Sequence, residues 1–568
     1  MAAAAAAIAV LAAATLPPKR RSLTAFPDGS LPGIIHVHTN RSDGSQTPDG
    51  IASAAARAGL RFVVFTDHGD GTRRPEPPTY RSGVLCIDGV ELSTAGGHYL
   101  AMDIGPSPYP LGGEPRDVVE DVRRLGGFGI VAHPDSPKPE LRWTDWQTPF
   151  DGIEMLNLDT GWRRLLAEIR TPENPVRSRT RGVGRLAAAL LDYPFRPAET
   201  IARLAAGTSG VEPQVASEMA RRRVVMIAGA DAHANLELKG DSADSRPSLR
   251  LPEYEPTFRA LTIDVHPERP ITGDATADAR IVLRAIRNGH LHTVMEGFAA
   301  PASFEFTATN SFGTVREGDE LSAGGPVTLR VRSNAPPGFT TTVRTRNGAV
   351  AAGRTENEFT VEAPADPDVY WVEISTGGAR PAVWLRSNAI YIRGDAPIET
   401  APARQPATRS EALLTAGATG RWHVEHDASS QAALDVTQPD GGLELRMRWG
   451  LSGGVNLHQY AGLTVDTPEG VAAFDRLVFT ARAERPMRIS VQLRDGGERR
   501  WQRSVFVPAF SQERTVFFDD MRTPLGSASA ERAPALAGIR TILFVIDTTN
   551  TKPGASGRLW IKNVSLQR

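Results

Sequence analysis

The 568-residue sequence contains a single cysteine, Cys86. No internal disulfide can form and no thiolate zinc site is available, so any metal ion must be held by imidazoles and carboxylates. Neither sign of charge is in excess. Sixty-four Lys and Arg stand against 65 Asp and Glu, a net charge of −1, which removes any whole-chain reason to bind nucleic acid or an anionic membrane surface. A membrane span is also missing. The Ala-rich run Ala2 to Leu16 falls short of the ~20 apolar residues that a spanning helix needs. Its length and small residues are those of a secretory signal, yet Lys19, Arg20 and Arg21 follow the run, whereas a signal carries its basic residues before it. Residues 1–24 are therefore read as signal-like or disordered. Periplasmic or extracellular placement is the expectation, favoured by the β-rich C-terminal half, with a cytoplasmic chain as the alternative. No repeat of fixed period is present.

The chain is too long for one hydrophobic core, and about three domains are expected. From Ile34 to about Ala300, short β-branched runs alternate with helical patterns, the signature of parallel strands joined by crossover helices. The runs are Ile34–His38, Phe62–Phe65, Val84–Ile87, Ile130–Ala132, Gly152–Asn157 and Val224–Ile227, with helix-like stretches such as Pro48 to Ala58 and Glu114 to Leu125 between them. Near-continuous apolar strands suit a sheet buried on both faces, and a closed or nearly closed α/β barrel over residues 25–300 fits. An Arg-rich helical insertion, about 162–223, interrupts the rhythm. Residues 301–395 turn to period-two strands and suggest an Ig-like β-sandwich. Residues 396–410 are rich in Pro and Ala and read as a linker. Residues 411–568 are strand-rich and of jelly-roll size.

The chemistry-bearing residues fall in five clusters within the first of these regions. His36 and His38 are two apart, so in a strand they share a face about 6.6 Å apart along the chain. Two imidazoles so placed can converge on one cation. Asp43 follows in a Gly/Ser loop. Asp67-His68 comes directly after an apolar strand, and Glu91 is followed by His98 in Gly96-Gly97-His98. His133 ends another strand, and Asp231-Ala232-His233 follows a further apolar run. Except for His98, which heads the next strand, the clusters lie at or just past C-terminal strand ends, the catalytic face of α/β barrels. Any one of these histidines alone reads as a hydrogen-bonded core residue. The ordered set does not.

That ordered set resembles the metal-binding pattern of the PHP (polymerase and histidinol phosphatase) superfamily over about residues 34–300. The resemblance implies a distorted seven-stranded barrel and nine ligands. His36, His38, Glu91 and Asp231 would hold one metal, Glu91 would bridge to a second completed by His98 and His133, and Asp43, His68 and His233 would hold a third. A β-sandwich directly after such a region also looks like the CehA/McbA branch, whose named member hydrolyses an aryl carbamate.

Imidazole mixed with carboxylate suits two to three Zn, Mn or Fe ions rather than Ca or Mg. A metal-bound water, with its pKa lowered to about 7, is then the expected nucleophile. Asp67, beside a ligand, is read either as orienting an imidazole or as a helix cap. A small-molecule phosphate ester is the expected substrate, and a carbamate, ester or amide on the same metals is the alternative. The Arg-rich insertion, with Arg163, Arg164 and Arg185 among its members, suits an anion or is a solvated surface. A third reading is a carbohydrate- or surface-binding protein with an inactive barrel, its glycan met by Trp422, Trp449, Tyr460 and Trp501 unless these only pack. Full occupancy of the ligand positions argues against it. His290 and His292 are read mainly as structural and His266 as a surface loop residue.

Overall fold

The computed structural model describes residues 15–172, 174–207, 210–235, 251–378, 381–394, 404–439, 442–454, 459–524 and 533–568. Most of the signal-like run and of the 396–410 linker lie outside these residues. The described chain is predominantly β-sheet and forms two compact units. Among the described residues no helix is long and apolar enough to cross a membrane.

The first unit takes in most of residues 1–400. Its first 300 residues include the strands β1 (Leu31–Val37), β2 (Phe62–Phe65), β3 (Val84–Asp88), β4 (Val90–Thr94), β5 (Gly97–Met102), β6 (Phe128–Val131), β7 (Gly152–Asn157), β8 (Val225–Gly229), β9 (Thr262–Val265) and β10 (Leu291–Val294). Alternate side chains of these strands enter two cores. Ile34, Val37, Val63 and Phe65 pack with Ile51 and Ala55 of helix α1 (Pro48–Ala58), whereas Ile35, Phe62, Val64, Leu85 and Ile87 pack with Leu100, Ile130 and Ile227. Burial on both faces explains the unbroken apolar runs, and each such side chain stabilises the fold by roughly 1.5–3 kcal/mol. α1 begins where Thr47 accepts from Gly50 N and ends at Gly59, whose φ of 88° is the left-handed cap that glycine takes without strain.

β1, β2 and β3 are parallel, as are β6, β7 and β8. Other pairs depart from the all-parallel expectation, because β5 runs antiparallel to β4 and β6, and β9 antiparallel to β1 and β10. For β4 and β5 the cause is a tight connection, a two-residue turn that permits only a hairpin. β10, β9, β1, β2 and β3 lie in one sheet and β8, β7, β6, β5 and β4 in another, and backbone hydrogen bonds link the two. Gly89 N donates to Phe65 O (2.7 Å), and His38 N donates to Ala232 O (3.0 Å). The Arg-rich segment folds into four helices, Leu158–Arg170, Val176–Asp192, Pro197–Ala205 and Glu212–Arg221.

The period-two strands after residue 300 form an antiparallel sheet over Phe304–Asn310, Val327–Ser333 and Glu358–Ala363. Val383–Ser387 pairs with β10, so this segment continues the first unit's sheet and belongs to the same compact unit. Two buried side chains from it pair with buried main-chain groups at and beside β8. Asn388 Oδ1 accepts from Met226 N (2.8 Å), and its Nδ2 donates to Met226 O (2.8 Å) and Leu291 O (3.0 Å). Tyr391 Oη accepts from Val224 N (2.9 Å) and donates to Val224 O (3.0 Å).

The second unit, mainly residues 401–568, consists of two antiparallel sheets. Phe479 of one meets Phe544 of the other edge-to-face, with ring centroids 4.9 Å apart. Trp422, Trp449 and Trp501 are buried and offer no exposed stacking platform.

Asn388→Ala leaves the buried main-chain N–H and C=O of Met226 unpaired, while Leu291 O keeps the Asn388 backbone N–H. At roughly 1–3 kcal/mol per orphaned group, it should lower stability by about 2–4 kcal/mol, read as a shift in the urea midpoint. A shift equivalent to less than about 0.5 kcal/mol would contradict this role.

Candidate metal centre

Eight of the nine residues expected at a site gather around the ninth, Glu91. Its carboxylate is buried at 1% exposure. Oε2 lies 3.2 Å from both His36 Nε2 and His38 Nε2, while Oε1 lies 2.7 Å from His98 Nδ1 and 2.9 Å from His133 Nε2. Asp231 Oδ1 sits 3.3 Å from His36 Nε2 and 3.5 Å from His38 Nε2. On the solvent side, Asp43 approaches His233 Nε2 (3.3 Å), His38 Nδ1 (3.4 Å) and His68 Nε2 (3.7 Å).

Their backbones carry strain. His36 (φ 60°), His133 (φ 28°) and Asp231 (φ 49°) all lie in the left-handed region, which costs a non-glycine residue of order 1–3 kcal/mol. His36 and His38 therefore do not meet by regular strand alternation. The β1–β2 register shifts between Ile34 and Val37, and this irregularity turns His36 toward His38, ring centroids 5.3 Å apart.

Partners on the far ring nitrogens fix which nitrogen faces the cluster. Main-chain carbonyls can only accept, so Nδ1 of His133 donates to Leu141 O (3.2 Å) and Nδ1 of His233 to Asp231 O (2.9 Å). Nε2 of each is left facing inward. For His36 the partner is Glu154, a residue that pattern reading had passed over: its Oε1 is 2.7 Å from Nδ1, and its Oε2 accepts from His133 N (2.7 Å) and Asn157 Nδ2 (2.9 Å). An acid in the otherwise apolar run of β7 was the available signal. Gly229 leaves room for this carboxylate, since a Cβ there would stand 1.7 Å from Glu154 Oε1.

Asp67 orients no imidazole and caps no helix. Its carboxylate accepts from Thr39 N (2.7 Å), Ser42 Oγ (2.8 Å) and Arg41 Nε (3.1 Å), which fixes the loop that delivers Asp43. Arg41 in turn donates to Asp88 Oδ1 (2.8 Å), a second contribution to that loop absent from the sequence reading.

Charge is balanced within the cluster. Burial opposes protonation of His36, but Glu154, Asp231 and Glu91 outweigh it and raise its pKa well above the ordinary value. His38 is likewise raised to about 9, against burial, by Asp231 and Glu91. Burial alone would raise Glu91 and Asp231, yet the surrounding imidazoles hold both well below the usual carboxylate range. Neither ring nitrogen of His38, wholly buried, makes an aligned hydrogen bond, although carboxylate oxygens stand 3.2–3.5 Å away. Such spacing matches the ~3.3–3.4 Å edge of a tetrahedron with metal–nitrogen bonds of about 2.0–2.1 Å. The donor set thus fits divalent transition-metal ions.

Beside Asp231 and His233 lies a cavity of about 310 Å³, walled also by Lys138, Asp159, Trp162 and Arg163. Arg163 pairs with Asp159, Arg164 with Asp135 and Arg185 with Glu168, so part of the helical segment's charge is neutralised locally. Trp143 packs between Tyr99 and Phe150, away from this wall. His290 pairs with Asp319 (2.8 Å). His266 is not a surface residue: its side chain is 11% exposed, turned toward His292.

No family model matches the chain. An uncharacterized protein of Methanocaldococcus jannaschii is 27% identical over 140 residues, covering 22% of this chain and 80% of that protein. Among solved structures, the family 11 carbohydrate-binding module of a Clostridium thermocellum cellulase is 14% identical with a TM-score of 0.24, covering 28% of this chain and 95% of the module. An exo-β-agarase is 13% identical with a TM-score of 0.19, covering 26% of this chain and 24% of that one. Overlaps this small define no shared function.

Glu154→Gln removes the negative charge beside His36 and should lower the His36 pKa in metal-free protein, read by NMR titration of the imidazole. An unchanged titration would show that Glu154 does not govern it.

Proposed function

We propose that the chain is a metal-dependent hydrolase of the PHP type, built on a distorted seven-stranded α/β barrel, and that it cleaves phosphoesters. The observation that carries this reading is the convergence of six imidazoles and two further carboxylates around Glu91, with both nitrogens of buried His38 lacking an aligned partner. Buried polar atoms are nearly always satisfied; a cation would satisfy Nε2, which faces Glu91 and Asp231, and leave the proton on Nδ1, toward Asp43.

His36, His38, Glu91 and Asp231 would hold one ion, Glu91 with His98 and His133 a second, and Asp43, His68 and His233 a third. Zinc, manganese or iron bound there supplies a Lewis acid and an activated water at neutral pH. The protein's own contribution is orientation. Glu154 keeps the His36 Nδ1 proton directed away from the cluster, the carbonyls of Leu141 and Asp231 do the same for His133 and His233, and Asp67 with Arg41 holds the Asp43 loop. Substrate would enter from the side of Asp43 and His68, the more exposed members of the set. Lys138, Arg163 and the buried, unpartnered Trp162 Nε1 line the adjoining cavity and supply donors for a phosphoryl oxygen. Pairing of Arg163 with Asp159 lessens that positive charge and favours, as the second reading, a neutral carbamate, ester or amide.

Purified protein should carry two to three transition-metal ions at this centre and hydrolyse aryl phosphates or phosphodiesters. The double change His36→Ala, His38→Ala should remove metal from the centre and abolish turnover. Metal content equal to that of the unaltered chain would refute the assignment, and turnover of aryl carbamates alone would select the second reading.

Metal uptake must displace the protons that His36 and His38 hold, so affinity should rise with pH until about pH 9, by roughly tenfold per unit for each proton displaced. Calorimetry in buffers of different ionisation enthalpy reads this proton release. Affinity independent of pH between about 6 and 8 would contradict it. In metal-free protein the sign is opposite: the raised His38 pKa contributes stability that is full below the unfolded value of 6.5 and is lost as pH rises through about 9.

A further inference from the structure

A second group of potential ligands lies at the other end of the strands. β9 runs antiparallel to β1 and pairs Val265 with Leu31, at the start of β1. His266 follows directly, so it lies about six strand residues, or roughly 20 Å, from the level of His36. His292 stands opposite Asp264 on β10. Glu317 comes from the turn between the strands Gly313–Arg316 and Glu320–Ser322.

Three atoms of this group form a nearly equilateral triangle. His266 Nε2 is 3.3 Å from His292 Nδ1, His292 Nδ1 is 3.2 Å from Glu317 Oε1, and His266 Nε2 is 3.5 Å from the same oxygen. These are again the edges, about 3.3–3.4 Å, of one face of a zinc tetrahedron. One shared proton between the imidazoles can account for a single edge. It leaves Glu317 Oε2, His292 Nε2 and Asp264 Oδ1 buried without hydrogen bonds. His292 is 0% exposed and Asp264 and Glu317 3% each, so water does not readily satisfy them.

We infer that His266, His292 and Glu317 form a second site for a divalent transition metal of the zinc class, separate from the Glu91 centre. A cation on the triangle gives the Glu317 carboxylate its counter-charge. With Nδ1 of His292 bound, its Nε2 carries the proton and faces Asp264 Oδ2, 3.7 Å away, the arrangement in which a carboxylate steadies a ligating imidazole from behind. Phe304, edge-on to the His292 ring at 5.1 Å, shields that side. The three ligands come from β9, β10 and the turn at Glu317, so the ion ties the end of the strand layer to the β-rich segment that follows it. Its role is structural, and the Glu91 centre does not depend on it.

Metal analysis of the full chain after zinc loading and desalting tests the inference. His266→Gln, at a partly exposed position, and Glu317→Gln, which preserves shape, should each lose one equivalent of zinc while keeping the ions and turnover of the Glu91 centre. In the His36→Ala, His38→Ala background the added His266→Gln change should again remove one equivalent, and the zinc-induced rise in Tm of that background should shrink with it. Equal zinc content with and without His266→Gln and Glu317→Gln would overturn the inference and leave the hydrolase reading untouched. Failure of the hydrolase reading, seen as no metal lost on changing His36 and His38, would leave this site standing.

Discussion

One buried carboxylate organises the first unit's site. Glu91 lies within 3.4 Å of five imidazoles, those of His36, His38, His68, His98 and His133. Burying a lone charge costs several kcal/mol, and among the described residues the partners that Glu91 ion-pairs with are all histidines. Positive charge must come from protons on the histidines or from metal ions in their place. The raised pKa values of His36 and His38 and the depressed ones of Glu91 and Asp231 are the metal-free form of that requirement.

Much of the surrounding structure serves to hold this arrangement. Strain at His36, His133 and Asp231 persists because the flanking strands are buried on both faces and cannot relax. Glu154 links two ligand-bearing strands through His36 Nδ1 and His133 N, and the missing side chain of Gly229 makes the space for it. The side chains of Asn388 and Tyr391 complete the hydrogen bonding of the strand that leads to Asp231. A pattern of this kind favours precise placement of a few polar groups over stability of the parts that carry them.

The strands of the first 300 residues were readable because double burial leaves no polar face to confuse the pattern, and the helices because caps such as Thr47 and Gly59 mark their ends. Sheet direction was not readable, since the antiparallel entry of β5, β9 and β10 depends on turn length and pairing rather than on composition. All nine clustered His, Asp and Glu residues were named from their order and its resemblance to the PHP metal-binding pattern. Their geometry was not: His36 reaches its place through a register shift, and alternation in a regular strand plays no part. Asp67 stood beside a ligand in sequence but turns to the Asp43 loop, and Glu154 was hidden as one acid in an apolar run. His266, His292 and Glu317 span 52 residues and meet only through an antiparallel pairing, which no local motif announces.

Anomalous diffraction from crystals of the intact chain grown with zinc or manganese tests the central claim most directly. The account requires density for ions within about 2.0–2.2 Å of Glu91 and of the inward nitrogens of His36 and His38. Imidazoles pointing away from Glu91, or no anomalous signal between them at saturating metal, would contradict it.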